Sequence, residues 1–132
     1  MNTIDAKVVS IRRYEGVSEI VSQAMETRLL TYSIGVWENI DEGAQLTLGI
    51  KSTDISLHIG EAPENPISNI LPVIYEESIA GRLLSIVKIR FGDSLMETVV
   101  PSLWLEDFEE SLSIQNLYAL INPHHIHILE SR

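Results

Sequence analysis

The sequence predicts an all-β protein made of two tandem halves, each folding as a small five-stranded barrel or sandwich. Each half contains five short segments of alternating apolar residues, separated by turn signals about every 8 to 12 residues. The halves also share a pattern. Residues 37–57 and 108–128 both run from an aromatic residue through a polar segment, a strand and a tight corner into a second strand.

The composition narrows the class of protein. With 132 residues, of which 45% are hydrophobic, the chain can form one ordinary domain or two very small ones. Barrels of about 60 residues are marginally stable alone, so we expect the halves to share strands, share a core or oligomerise. The absence of cysteine excludes disulfides, thiolate metal sites and cysteine nucleophiles.

The charge of the chain disfavours a nucleic-acid-binding protein. The formal net charge is −10 at pH 7, and the acidic residues are spread along both halves, which disfavours direct binding of nucleic acid. The sequence shows neither a leader-like start nor an apolar run of about 20 residues. We therefore expect a cytoplasmic protein without membrane insertion.

The first half is expected at residues 1–60. Alternating apolar residues predict its strands at 4–11, 17–24, 28–34, 44–50 and 55–57. The alternation slips once, after Val8. Residues 37–41 are too few for a full helix and too polar for a strand, so they predict a single helical turn. Gly43 ends it, because glycine tolerates a positive φ.

A connection at residues 61–69, which holds two of the five prolines, separates this half from the second one at residues 70–132. The second half is expected to form strands at 70–75, 84–91, 95–100, 117–121 and 126–128. Gly92 and Asp93 predict a hairpin turn, and Pro123 a corner. Residues 101–110 correspond to the helical turn of the first half.

The repeat and its corners resemble the small molybdate-binding barrels called Mop or TOBE domains. The resemblance rests on ENIDEGAQLTLGIKSTDISL at residues 38–57, on ISNILP at 67–72 and on LYALI at 117–121. It covers both halves and implies two OB-like five-stranded barrels, each with a short helical turn, that share strands. The chain lacks a Walker motif and a DNA-binding helical domain, so only the ligand-binding part of larger family members is matched.

The resemblance implies a function as well. Such barrels bind molybdate or tungstate without changing it, alone in the cytoplasm, in molybdate-responsive repressors or as tails of importer ATPases. It therefore implies a non-enzymatic protein without organic cofactor, for storage, homeostasis or sensing linked to molybdate import. The implied partners are the oxyanion, further copies of the chain in a homo-oligomer, and molybdate ABC importer components. The alternative is a ligand-free regulatory or dimerisation module of an ABC importer.

The family's pattern also points to particular residues. A tetrahedral dianion is bound by backbone N–H groups, hydroxyls and a cation, and the corner at residues 51–53 supplies all three. Carried over position by position, the pattern implies oxyanion-binding groups at Lys51 and Ser52 of the corner and at Ser68 and Asn69 of the second opening. Asn2 is the same position in the first half. Lys51 and Ser52 are expected to meet Ser68 and Asn69 in one pocket.

The sequence departs from the family in its second half. The family's opening serine falls on Pro66 and its arginine on Ser68, and the corner at residues 122–124 contains no lysine. At most one kind of pocket therefore keeps enough of the pattern.

Histidines give a separate hypothesis. His125 and His127 stand two apart in an expected strand, so they would face the same way, and such a pair can bind a divalent metal. No carboxylate or cysteine is placed by sequence to complete the ligand set. No nucleophile elbow or other reaction motif frames the serines, histidines and acids, so catalysis is not predicted.

Overall fold

The computed structural model describes residues 1–35, 40–64 and 67–132. Over these residues it contains ten strands, one α-helix and two short 3₁₀ turns. The strands of the first half are β1 (Asn2–Tyr14), β2 (Val17–Ala24), β3 (Thr27–Ile34), β4 (Gln45–Ile50) and β5 (Ser56–Ile59). The second half contains β6 (Asn69–Ile79), β7 (Leu84–Phe91), β8 (Ser94–Pro101), α1 (Ser102–Ile114), β9 (Leu117–Ile121) and β10 (Ile126–Ser131).

Alternation of apolar and polar residues accounts for the strands. In β1 the side chains of Ile4, Ala6 and Val8 are buried and the residues between them are exposed. The slip in the pattern after Val8 is a β-bulge, where the register between β1 and β2 shifts. The hairpin that follows turns at Glu15 and Gly16, with φ of 49° and 79°. Two consecutive positive φ values match the twist of the flanking strands.

The two sheets exchange their last strands. One sheet has the order β10-β4-β1-β2-β3 and the other β5-β9-β6-β7-β8. Strand β5 of the first half therefore pairs with β9, and β10 of the second half pairs with β4. The predicted all-β architecture and the sharing of strands are confirmed. The division of the chain at residues 61–69 stays a prediction.

The exchange joins the halves into one folding unit. Buried apolar side chains from both sheets form one continuous core. Ile50 at the end of β4 and Ile121 at the end of β9 are both 0% exposed. From each, the chain crosses to the other sheet through a short corner. We name residues 51–54 the first corner and residues 122–125 the second corner.

The helical segment of the second half is longer than expected. The helical turn expected at residues 101–110 extends into α1, a helix of 13 residues whose Leu105 and Leu112 are buried. Leucine and glutamate are good helix formers, and the spacing of seven puts both leucines on one face. The helical turn expected at residues 37–41 falls mostly outside the described residues. In the part of the chain that the structure describes, no helix is long and apolar enough to cross a membrane.

Candidate functional site

The first corner is fixed by backbone and side-chain hydrogen bonds around an exposed lysine. Lys51 follows the buried end of β4, and its carbonyl accepts a hydrogen bond from Asp54 N–H at 2.9 Å. Thr98 Oγ1 on β8 donates to the carbonyl of Ile55 at 2.6 Å, which fastens the outgoing chain to the second sheet. Within residues 1–35, 40–64 and 67–132, the ammonium group of Lys51 has no carboxylate within 4.0 Å. It is therefore available to an anion.

The second corner closes on itself. Asn122 Oδ1 accepts a hydrogen bond from the N–H of His124 at 2.9 Å, and Pro123 beside it is buried. Lys51 occupies the equivalent position in the first corner, where no described side chain caps the turn. Among the described residues, no side chain therefore accepts from the backbone N–H groups at the start of the first corner.

Asn2 and Asn69 link the two halves. Asn2 Nδ2 donates to the carbonyl of Glu97 at 2.9 Å, and its Oδ1 accepts from Glu97 N–H at 2.8 Å. Asn69 makes the same two bonds to Leu30, at 2.9 and 2.7 Å. Each amide thus pairs with the edge strand of the other half as a strand backbone would. Both asparagines are 8% exposed.

The strand registers decide which predicted residues come together. Asn2 pairs with Ile50, so Asn2 lies beside Lys51 and Ser52 at the first corner. Asn69 pairs with Ile121, which places Ser68 and Asn69 at the entrance of the second corner. Asp54 Oδ1 lies 3.7 Å from His125 Nδ1, so the two corners stand side by side.

A polar cluster on the first sheet adjoins the second corner. The ring of Tyr32 stacks on His124 with centroids 5.2 Å apart, and its hydroxyl donates to Glu19 at 3.0 Å. Arg12 binds the same carboxylate, with its Nε 2.8 Å from Glu19 Oε1. The hydrogen bonds from Arg12 and Tyr32 lower the pKa of Glu19. The bond to the carboxylate raises the pKa of Tyr32.

The histidines do not converge on a metal position. His125 ends the 3₁₀ turn of the second corner, and only His127 lies in β10. The turn spans Pro123–His125, so His125 precedes β10 and does not lie in the strand. His58 Nε2 contacts the carbonyl of Glu61 at 2.7 Å. Among the described residues, no group of three or more histidine and acidic side chains is arranged to hold a metal ion.

Sequence reasoning missed two features of this site, the Asn122 cap and the contact of Asp54 with His125. The repeat places the residues involved at equivalent positions, since the offset that aligns Ile50 with Ile121 also aligns Lys51 with Asn122 and Asp54 with His125. The alignment was a signal for equivalent positions. It gave no signal that two of them touch.

Comparisons with known proteins bear on the fold. No family model and no curated protein sequence matches the chain. In three dimensions, it is similar to the crystal structure of the cytoplasmic molybdate-binding protein ModG with molybdate bound. The TM-score is 0.84 and the sequence identity 11%, over 96% of this chain and 94% of that chain. The chain therefore has the tandem-barrel fold of the molybdate-binding protein ModG.

Proposed function

We propose that this protein binds molybdate or tungstate at the first corner without changing it, as a cytoplasmic protein for storage, homeostasis or sensing linked to molybdate import. One observation carries the proposal: an exposed lysine, Lys51, stands on an uncapped corner in a fold shared with molybdate-bound ModG. Lys51 supplies the cation, Ser52 a hydroxyl, and the start of the corner its open N–H groups. No step of chemistry is needed, so the protein acts as a binder.

The asparagines take a supporting role in this site. A primary amide has two N–H donors, and the Glu97 carbonyl uses one of those of Asn2. The second has no partner among the described residues, and we assign it to a ligand beside Lys51. Ser68 and Asn69 stand in the same relation to the second corner, which is capped and has no lysine. The sequence predicts one pocket shared with Lys51 and Ser52; because Asn69 pairs with Ile121, we assign Ser68 and Asn69 instead to a second, weaker position.

Isothermal titration with molybdate, tungstate and sulfate tests the proposal. We expect binding of the first two at about micromolar affinity or tighter. Lys51→Ala should weaken it by at least about tenfold, since a hydrogen bond to a charged group contributes about 1.5 to 3 kcal/mol. Lys7→Ala removes another exposed lysine, from β1, and should leave the affinity unchanged. Absence of heat with every anion, or equal loss in both variants, would refute the site.

A homo-oligomer is part of the proposal. Four exposed apolar side chains lie at the end of the β6–β7 hairpin and the start of α1, namely Ile79, Leu83, Leu84 and Leu103. The N–H of Ser102 donates to the carbonyl of Leu83 at 2.9 Å, so the two segments adjoin. An apolar surface of this kind is typical of a contact between copies. Light scattering should give more than one chain per particle, and Leu83→Glu should reduce that number.

The second candidate is a ligand-free dimerisation or regulatory module of an ABC importer. The closed second corner favours it, because Asn122 Oδ1 already accepts a hydrogen bond from His124 N–H there, a donor that an oxyanion would need. Titration distinguishes the candidates, since this module would associate with itself without binding any of the three anions.

A further inference from the structure

Asp54 and His125 meet where the first and second corners stand side by side. They occupy equivalent positions in the two corners, and their side chains lie 3.7 Å apart. Asp54 is 23% exposed and His125 is 52% exposed, so the contact is open to solvent on the histidine side.

The strand register also brings His125 next to Lys51. Ile126 of β10 pairs with Ile50 of β4, and these strands run antiparallel. His125, which precedes Ile126, therefore lies opposite Lys51, which follows Ile50. One end of this strand pair thus gathers a permanent cation, a carboxylate and an imidazole, the last contributed by the second half of the chain.

The charge of this group depends on the imidazole. With neutral His125, the charges of Lys51 and Asp54 cancel. With protonated His125 the group has a net charge of +1, and the imidazolium pairs with the carboxylate that would otherwise repel an anion. Imidazole changes charge between pH 5 and 8, in the physiological range.

The other charged groups nearby contact other side chains or lie on the opposite side of β4 from this contact. His124, in the same corner, is stacked on Tyr32. The carboxylate of Glu97, on the strand β8 to which Asn2 is hydrogen-bonded, lies 3.9 Å from Lys88 Nζ. Met1, with its amino group, flanks Lys51 on the opposite side of β4 from His125, since Asn2 pairs with Ile50.

We propose that His125, when protonated, is a second cation of the Lys51 oxyanion site, so that the affinity for a dianion rises as the pH falls from 8 to 6. This inference rests on the proposed function and adds to it a means of release and capture by pH. A unit charge several ångströms from a dianion in a solvent-exposed setting should change the affinity by about fivefold.

Isothermal titration with molybdate at pH 6, 7 and 8, at micromolar ligand, tests the inference. The unaltered protein should bind about fivefold more tightly at pH 6 than at pH 8. His125→Gln should remove this dependence and retain the weaker affinity, whereas His127→Gln, a change on the exposed neighbour in β10, should preserve it. Asp54→Asn should tighten binding at pH 8.

Two further results keep the test decisive. His125→Lys provides a fixed charge, so it should bind at pH 8 as tightly as the unaltered protein binds at pH 6, even where His125→Gln folds poorly. If molybdate binds and the pH dependence survives in His125→Gln, the inference is overturned while the proposed function stands. If the unaltered protein binds at no pH, the proposed function fails and the inference with it.

Discussion

The pair of hydrogen bonds between the Asn69 amide and the Leu30 backbone should contribute measurably to the stability of the whole molecule. Asn69→Ala removes two hydrogen bonds, of 2.9 and 2.7 Å, between the start of β6 and the edge of β3. Each such bond has a net value of about 0.5 to 1.5 kcal/mol, so the free energy of unfolding should fall by about 1 to 3 kcal/mol. For a chain of this size, that lowers Tm by roughly 4 °C per kcal/mol.

Urea unfolding, followed by circular dichroism, measures this change. The slope against urea should stay constant, because the buried area is unchanged. Asn116→Ala, on an exposed asparagine of the loop before β9, is the matched control and should shift stability by less than about 0.5 kcal/mol. If Asn69→Ala unfolds at the same urea concentration as the control, the amide does not hold the halves together and the reasoning is wrong.

Two other substitutions probe the first sheet. Thr31 is 1% exposed, and its hydroxyl has no hydrogen-bond partner among the described residues. Thr31→Val keeps the shape and removes the unpaired group, so thermal unfolding should show a gain of about 1 kcal/mol; a loss would mean that the hydroxyl is bonded. The pKa of Glu19 is lowered in the fold by hydrogen bonds from Arg12 and Tyr32. A lowered carboxyl pKa gives stability that is present above the pKa of the unfolded chain and is lost as the pH falls through the folded value. Glu19→Gln should therefore lower stability at pH 7 and reduce its decline towards acid; an unchanged pH profile would contradict this.

The strands could be predicted from the sequence because their cause is local. A period of two in apolar residues fixes which face is buried, so β2 begins and ends where the pattern does, at Val17 and Ala24. The same holds for β9 at residues 117–121. The expected helical segment at residues 101–110 is too short, because it rests on analogy with residues 37–41 of the first half. The helix extends to Ile114, and the burial of Leu112 stabilises its last turn.

The candidate site likewise combines residues that the local sequence places with contacts that only the structure shows. Lys51 and Ser52 stand on a corner that adjacent residues specify, and the sequence places that corner correctly between β4 and β5. The hydrogen bonds of Asn2 to Glu97 join residues 95 positions apart, and those of Asn69 to Leu30 join residues 39 positions apart. No local sequence pattern encodes contacts over such separations. Ligand contact by both asparagines therefore stays a prediction. Their hydrogen bonds to the opposite half were found only in the structure.

The sequence by itself determined the β class, the repeat, the turns and the lysine corner, since each depends on residues close together in the chain. Only the tertiary structure showed that β5 joins the second sheet and β10 the first, that the two corners lie side by side, and that Asp54 contacts His125. These features depend on which sheet edge each outgoing strand meets. That choice is made by packing of the shared core, where Ile50 and Ile121 from different halves are buried together.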